Sequence, residues 1–183
     1  MIAYEGRTEI DSTALPDKET SSKHCIFQYG NSLFAILATA IREITHAPLL
    51  VRVPQSPSSL GGVCHLRSEF VPVIQLGPLL GAGDFQATPS AQLLILDSAL
   101  GAWALMIDRA IAIETIEAHV DTVPRDDGQR SAVLGTATYQ AEIVRVLDPQ
   151  ALLQLVHQSG HRQWDSGQYL ASAPPKFSVE AFA

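Results

Sequence analysis

His157 and His161 are four residues apart, a spacing that puts two imidazoles on one helical face where they can share a metal ion. Gly160 stands between them and no third ligand is near, so they read as solvated histidines of a tail. His65 alternates with Val63 and Arg67 and reads as a surface side chain, with proton transfer as its minor alternative. Asp97 and Asp108 each follow an apolar run, where Asp commonly opens a turn, and Asp126-Asp127-Gly128 has the same turn chemistry. Gly81-Ala82-Gly83 lacks the third glycine of a dinucleotide loop, because Gln86 fills that place. There is no nucleophile elbow and no phosphate-binding loop. Cys25 and Cys64 match neither a zinc spacing nor a disulfide framework. The chain therefore reads as having no catalytic residues, no metal site and no cofactor. The enzyme alternative, a small β-barrel catalyst, needs a cleft holding a perturbed titratable group.

Charge and hydropathy narrow the classes further. The 183 residues are 46% hydrophobic and 17% charged, apolar enough to bury a core. Twelve basic against nineteen acidic residues give a net charge of −7, the wrong sign for displacing counterions from nucleic acid. Aromatics are only 7%, too sparse for a base-stacking strand face. No run approaches the roughly 18 apolar residues of a membrane span, and the opening MIAYEGRTEIDSTALPDKETSSK has no apolar signal core. A cytoplasmic protein without membrane insertion is expected.

The elements that must position any site have period two rather than 3.6. Cys25–Tyr29 and Ser32–Leu37 flank Gly30-Asn31, a hairpin with glycine where a type II′ turn needs positive φ. Thr39–Thr45 alternates, with Ile41 and Glu43 on one face and Arg42 and Ile44 on the other. After a proline-punctuated crossing, Val63–Arg67 and Phe70–Leu76 read as strands joined through Ser68-Glu69. Pro72 lacks a ladder donor, which marks an edge or a bulge. Gln92–Leu96, Ala102–Ile107 and Ala110–Thr115 follow, and Ala132–Thr138 with Glu142–Leu147 forms a last hairpin. Asp148-Pro149 has the chemistry of a helix start, with Leu152, Leu153 and Val156 as its apolar stripe. About nine short strands with little helix indicate an all-β fold, a small barrel or a sandwich. Periodicity fails outside residues 25–156, which predicts a flexible extension at 1–24 and a tail at 157–183.

Gly61–Leu80, GGVCHLRSEFVPVIQLGPLL, resembles the CheW-family signature G-V-x-N-L-R-G-x-x-x-P-V-I-D-L. The flanks agree in order. Ile41-Arg42-Glu43-Ile44 is similar to the family's V-x-E-I strand, Ala104–Asp108 to its G-L-x-V-D strand, and Leu147–Leu153 to its closing L-D-x-x-x-L-L. The resemblance spans about residues 25–156. It implies two packed five-stranded SH3-like β-barrels with a short C-terminal helix, acting as a scaffold. It also implies two partners: the regulatory domain of a CheA-type histidine kinase, and the cytoplasmic tip of a methyl-accepting chemoreceptor. The first would meet an edge of the first barrel and the second a groove between the barrels.

On the same resemblance Arg67 takes the signature arginine's place, and Ile41 and Glu43 take the V-x-E positions. Val71 and Val73 share one strand face, which suits core, and the signature sets them beside the other partner-binding candidates. Ser68 replaces a glycine, Cys64-His65 an apolar-Asn pair, Gln75 an Asp and Ala104 a Gly. Those departures leave open a divergent relative serving a pilus-type or other kinase system.

Overall fold

A computed structural model describes residues 22–83, 88–120 and 131–165. Residues before 22 of the extension expected at 1–24, the end of the tail and Asp126-Asp127 lie outside the described residues, and Lys23 and His24 belong to the first strand rather than to the extension. Five elements follow in the first half: β1 (Lys23–Tyr29), β2 (Ser32–Leu37), β3 (Ile41–His46), β4 (Leu60–Leu66) and β5 (Glu69–Ile74), then one helical turn, α1 (Leu76–Leu80). The second half runs β6 (Gln92–Ser98), β7 (Gly101–Ile107), β8 (Arg109–Thr115), β9 (His119–Val120), β10 (Val133–Tyr139), β11 (Glu142–Leu147) and α2 (Pro149–Asp165). The all-β class is as the sequence predicts.

The strands form two sheets, ordered β8-β1-β2-β11-β10-β9 and β3-β6-β7-β5-β4. Each closes on itself through one chain segment that serves both of its edges. In the first sheet β8 pairs with β1, and only residues 116–118 later β9 pairs with β10 at the opposite edge. In the second β3 pairs with β6, and the chain beyond it forms the bridge Val51↔Val63 against β4. Counting β8 and β9 as one bent strand, both are five-stranded units. We call them barrel A and barrel B.

The two halves of the chain are equivalent, and they exchange hairpins. Hairpin β1–β2 sits in barrel A with β8–β11, whereas β6–β7 sits in barrel B with β3–β5. The registers superimpose: β5 runs parallel to β7 at Val73↔Ala104, as β11 runs parallel to β2 at Val146↔Ala35. Helix α1 follows β5 as α2 follows β11. The repeat is written in the sequence as VIQLGPLL (73–80) against VLDPQALL (146–153).

Exchange determines which residues are buried. A hairpin with one face inside a barrel and the other against the second barrel must be apolar on both. Cys25, Phe27, Tyr29, Phe34 and Ile36 meet Leu94, Leu96, Trp103, Leu105 and Ile107 in one cluster between the barrels. The alternate residues point inward, Ile26 and Ala35 into barrel A and Leu93, Ile95, Ala104 and Met106 into barrel B. That is why LLIL and ALMI are continuous apolar runs.

Local chemistry explains the elements the sequence shows and those it hides. Gly30 has φ +57° in the β1–β2 turn, and its N–H is accepted by Asp108 Oδ2 at 2.6 Å. Asp108 thereby ties that turn to barrel B's β7. Pro72 is opposite Val63, but β5 begins pairing with β7 only at Val73, so its missing donor costs nothing on that side. Asp148 caps α2 as expected, accepting the Gln150 and Ala151 N–H groups on Oδ1 at 2.8 and 3.3 Å. α2 runs past Gly160 to Asp165 rather than fading there, because one glycine costs an established helix only about 1 kcal/mol. Ala38–Ala40 is a 3-10 turn instead of strand, and Leu76–Leu80 is helix instead of strand end.

Gly77 in α1 locks against β1. Its N–H is donated to the buried Tyr29 hydroxyl at 2.9 Å, and a Cβ here would overlap the Gly83 carbonyl oxygen. Gly77→Ala should destabilise the protein by about 2–3 kcal/mol, and Tyr29→Phe, which orphans a buried N–H, by about 1–3 kcal/mol. Denaturant midpoints at unchanged slope check both. Burial pushes the Cys25 thiol up from 9.0 to about 11. Between those values the unfolded chain releases that proton and the folded chain keeps it, so stability falls as pH rises above 9. The urea midpoint should drop from pH 8.5 to 10.5, and less steeply in Cys25→Ala.

Candidate functional site

The signature segment ends at the tip of the β4–β5 hairpin. Leu66 pairs with Glu69, leaving Arg67-Ser68 as a two-residue turn with φ of +49° and +84°. Positive φ at both positions is the type I′ geometry that matches strand twist. The turn lies one residue earlier than the Ser68-Glu69 expected. Arg67 is thus a turn residue, not one sharing a strand face with His65, and its side chain is released from the sheet. Ser68 does occupy a position that favours glycine, at a strain of about 1 kcal/mol.

Arg67 turns toward β3. Its guanidinium lies 2.7 Å from Glu43 Oε2, with the Arg67 side chain 71% exposed and that of Glu43 18%. One residue away, Arg42 Nη1 reaches Glu69 Oε2 at 3.2 Å and Asp97 Oδ1 at 3.5 Å. The hydrogen bond to Glu69 is the main reason the Arg42 guanidinium is held above its ordinary value, with Asp97 adding to it. Asp97 lies on β6, the strand next to β3, but the Arg42–Glu69 and Arg67–Glu43 contacts require a curled sheet. Laid flat, β3 and β5 would be three ladder spacings apart, about 14 Å, beyond the reach of an Arg–Glu pair. The five charges lie along the seam where barrel B closes.

A bulge between Ile41 and Glu43 sets which side chain faces which partner. Glu43 turns to Arg67, Arg42 to Glu69, and Ile41 packs half-buried against the inter-barrel cluster. Ile41, Glu43 and Arg67 therefore belong to one neighbourhood, as their sequence positions suggest. Val71 and Val73 do not. They are 1% and 0% exposed inside barrel B, with Leu93, Ile95 and Met106, and have no atoms to offer a partner. Strand alternation sends them inward; their neighbours on the outward face are Phe70 and Pro72.

Phe70 is 79% exposed and its ring lies 5.3 Å from that of His65. Leu49 and Val51 are also exposed, on the segment that bridges to β4. The charged seam is thus bordered by apolar surface. His65 is a surface residue with an aromatic neighbour, and His157 is an exposed residue of α2. Among the described residues no three metal-ligating side chains converge. Sequence reading missed Arg42, Glu69 and Asp97 as members of the seam. The signal for Glu69 is weak, because only the closed barrel brings β5 to β3 across two intervening strands, and that for Asp97 needs the β3–β6 pairing.

Two hairpin-exchanged barrels of SH3 type, with a charged seam bordered by exposed apolar residues, define the architecture. Residues 23–157 match the family model described as CheW-like domain, and the chain belongs to that family. Among solved structures it is similar to the scaffolding protein TtCheW from Thermoanaerobacter tengcongensis, at 19% identity and a TM-score of 0.60. That match covers 72% of this chain and 92% of the other, and it shows the shared fold. A search of curated proteins finds no match. Among the described residues no helix is long and apolar enough to cross a membrane.

The strained turns give a direct check. Barrel A repeats the geometry at Gln140-Ala141, with φ of +49° and +66°. Ser68→Gly and Ala141→Gly should each raise stability by roughly 0.5–1 kcal/mol, since glycine relieves a left-handed residue without removing a contact. Thermal melts of the two variants and their combination, expected to be additive, test the assignment.

Proposed function

We propose that this chain is a non-catalytic adaptor that couples chemoreceptors to a CheA-type histidine kinase. The observation that carries the reading is the Glu43–Arg67 pair. It joins the signature arginine to the glutamate of the flanking V-x-E-I strand, and it holds an otherwise exposed guanidinium in one orientation beside apolar surface. An oriented Arg with an exposed Phe next to it has the composition of an interface centre. On this reading Arg67, Glu43 and the adjoining Phe70 face the kinase's regulatory domain. Ile41 supports them from beneath, and the groove between the barrels takes the receptor's helical tip. Family membership supports the partners by class; the departures at Ser68, Cys64-His65 and Gln75 leave the pathway, flagellar or pilus-type, to experiment.

Arg67→Ala should leave the melting temperature nearly unchanged, since an exposed ion pair contributes roughly 0–1 kcal/mol. It should weaken assembly with a CheA-type kinase by about 2 kcal/mol, or roughly thirtyfold. Arg67→Lys should restore only part of this, because an ammonium lacks the planar fork. Pull-downs with kinases from both pathway types, alongside melts of the same preparations, measure each effect. An Arg67→Ala protein that unfolds, or that binds kinase normally, removes Arg67 from the interface.

A further inference from the structure

The equivalence of the two barrels permits a comparison within one molecule. Register places Arg42 opposite Ile111, Glu69 opposite Glu142, Asp97 opposite Gln28, and Arg67 opposite Gln140. In barrel B the first member of each pair builds the charged seam, where the Arg42 guanidinium bridges Glu69 and Asp97. In barrel A the four counterparts line a surface cavity of about 300 Å³. One of the two carboxylates is kept, at Glu142; Asp97 is replaced by Gln28, and Ile111 and Gln140 stand in place of the two guanidinium groups. Glu142 has no hydrogen bond or ion pair among the described residues.

We propose that this cavity is a binding site for an arginine side chain of a partner protein, seated where Arg42 sits in the other barrel. The chemistry of the walls fits that occupant. Ile111 and Tyr139 offer an apolar slot and a ring face for a guanidinium and its alkyl stem. Glu142 accepts the charge, and a planar fork can satisfy it bidentately. Arg109 is also on the rim; it donates its Nε–H to Gln28 Oε1 at 3.2 Å and makes no ion pair with Glu142, which is the one carboxylate in the cavity lining. A second cavity continues past Tyr139 and Gln140, and Glu114 and Glu117 line it, so a segment bearing the arginine would extend over further negative charge. The site belongs to barrel A and does not depend on the kinase-coupling reading, which rests on barrel B.

The test uses three capped tripeptides, Gly-Arg-Gly, Gly-Lys-Gly and Gly-citrulline-Gly, titrated into the full chain and followed by amide chemical shifts. The arginine peptide is expected to shift Ile111, Gln140 and Glu142, with the lysine and citrulline peptides weaker by about tenfold or more. Glu142→Gln should weaken the arginine peptide to a similar degree. Ile111→Arg supplies the missing guanidinium from the chain itself and should abolish binding while the melting temperature holds or rises. Absence of binding, equal binding of the lysine peptide, or undiminished binding to a folded Ile111→Arg protein overturns the proposal. Kinase pull-downs with Glu142→Gln, expected to stay normal if barrel B alone meets the kinase, separate this site from the proposed function.

Discussion

Burial of both faces of two hairpins is the constraint on which the rest of the structure depends. β1–β2 and β6–β7 each belong to one barrel by hydrogen bonding and to the other half of the chain by sequence. Neither barrel is therefore a separable domain, since withdrawing a hairpin empties one barrel and exposes the interface cluster at once. Phe27 stacks on Phe34 at 5.9 Å within that cluster, and Tyr29 meets the same ring edge-on at 6.4 Å. The Tyr29 hydroxyl then reaches Gly77 on α1, and Asp108 reaches the hairpin turn from β7. Each of these polar contacts crosses between elements that exchange has placed side by side.

Such a core is rigid, so specificity is left to the rims. In barrel B the rim is a seam of five charges aimed by a bulge at Arg42 and a left-handed turn at Arg67. Exposed ion pairs contribute little to stability. Their arrangement acts as orientation: Glu43 restricts a long side chain that would otherwise sample many rotamers, which under the proposed adaptor role lowers the entropy cost of docking it. The strained turn works the same way. Its strain is small beside the core's contribution, and it projects Arg67 out of the sheet plane instead of along it.

Much of this was legible in the residues. The Gly30 turn and the Asp148-Pro149 helix start follow from turn chemistry and capping chemistry; the Glu43–Arg67 pair does not, since the sequence names the two residues only separately. The failures have one cause, which is that period-two reasoning assigns a face but not what lies against it. Val71 and Val73 share a face that suits core and do lie inside barrel B, which their place in the signature beside the partner-binding candidates does not convey. Arg42 and Glu69 look like wet charges on separate strands until curvature brings them together. α1 was hidden because Gly77-Pro78 reads as a breaker, whereas proline is tolerated in a first helical turn and this helix is only one turn long.

The repeat carries more than the fold. Two copies of one barrel motif, built from equivalent strands, keep equivalent apolar residues at Phe70 and Ile143, both highly exposed. They also keep equivalent carboxylates at Glu69 and Glu142. What they do not share are the guanidinium groups and the second carboxylate: Arg42, Arg67 and Asp97 of barrel B correspond to Ile111, Gln140 and Gln28 in barrel A. Divergence concentrated at the rim, with the interior pattern retained, means that packing constrains both copies while surface chemistry is free to differ. One barrel satisfies its carboxylates internally, and the other leaves Glu142 without a cation. The two ends of the molecule therefore have the same shape and different chemistry, so a partner suited to one is mismatched to the other by an unpaired charge.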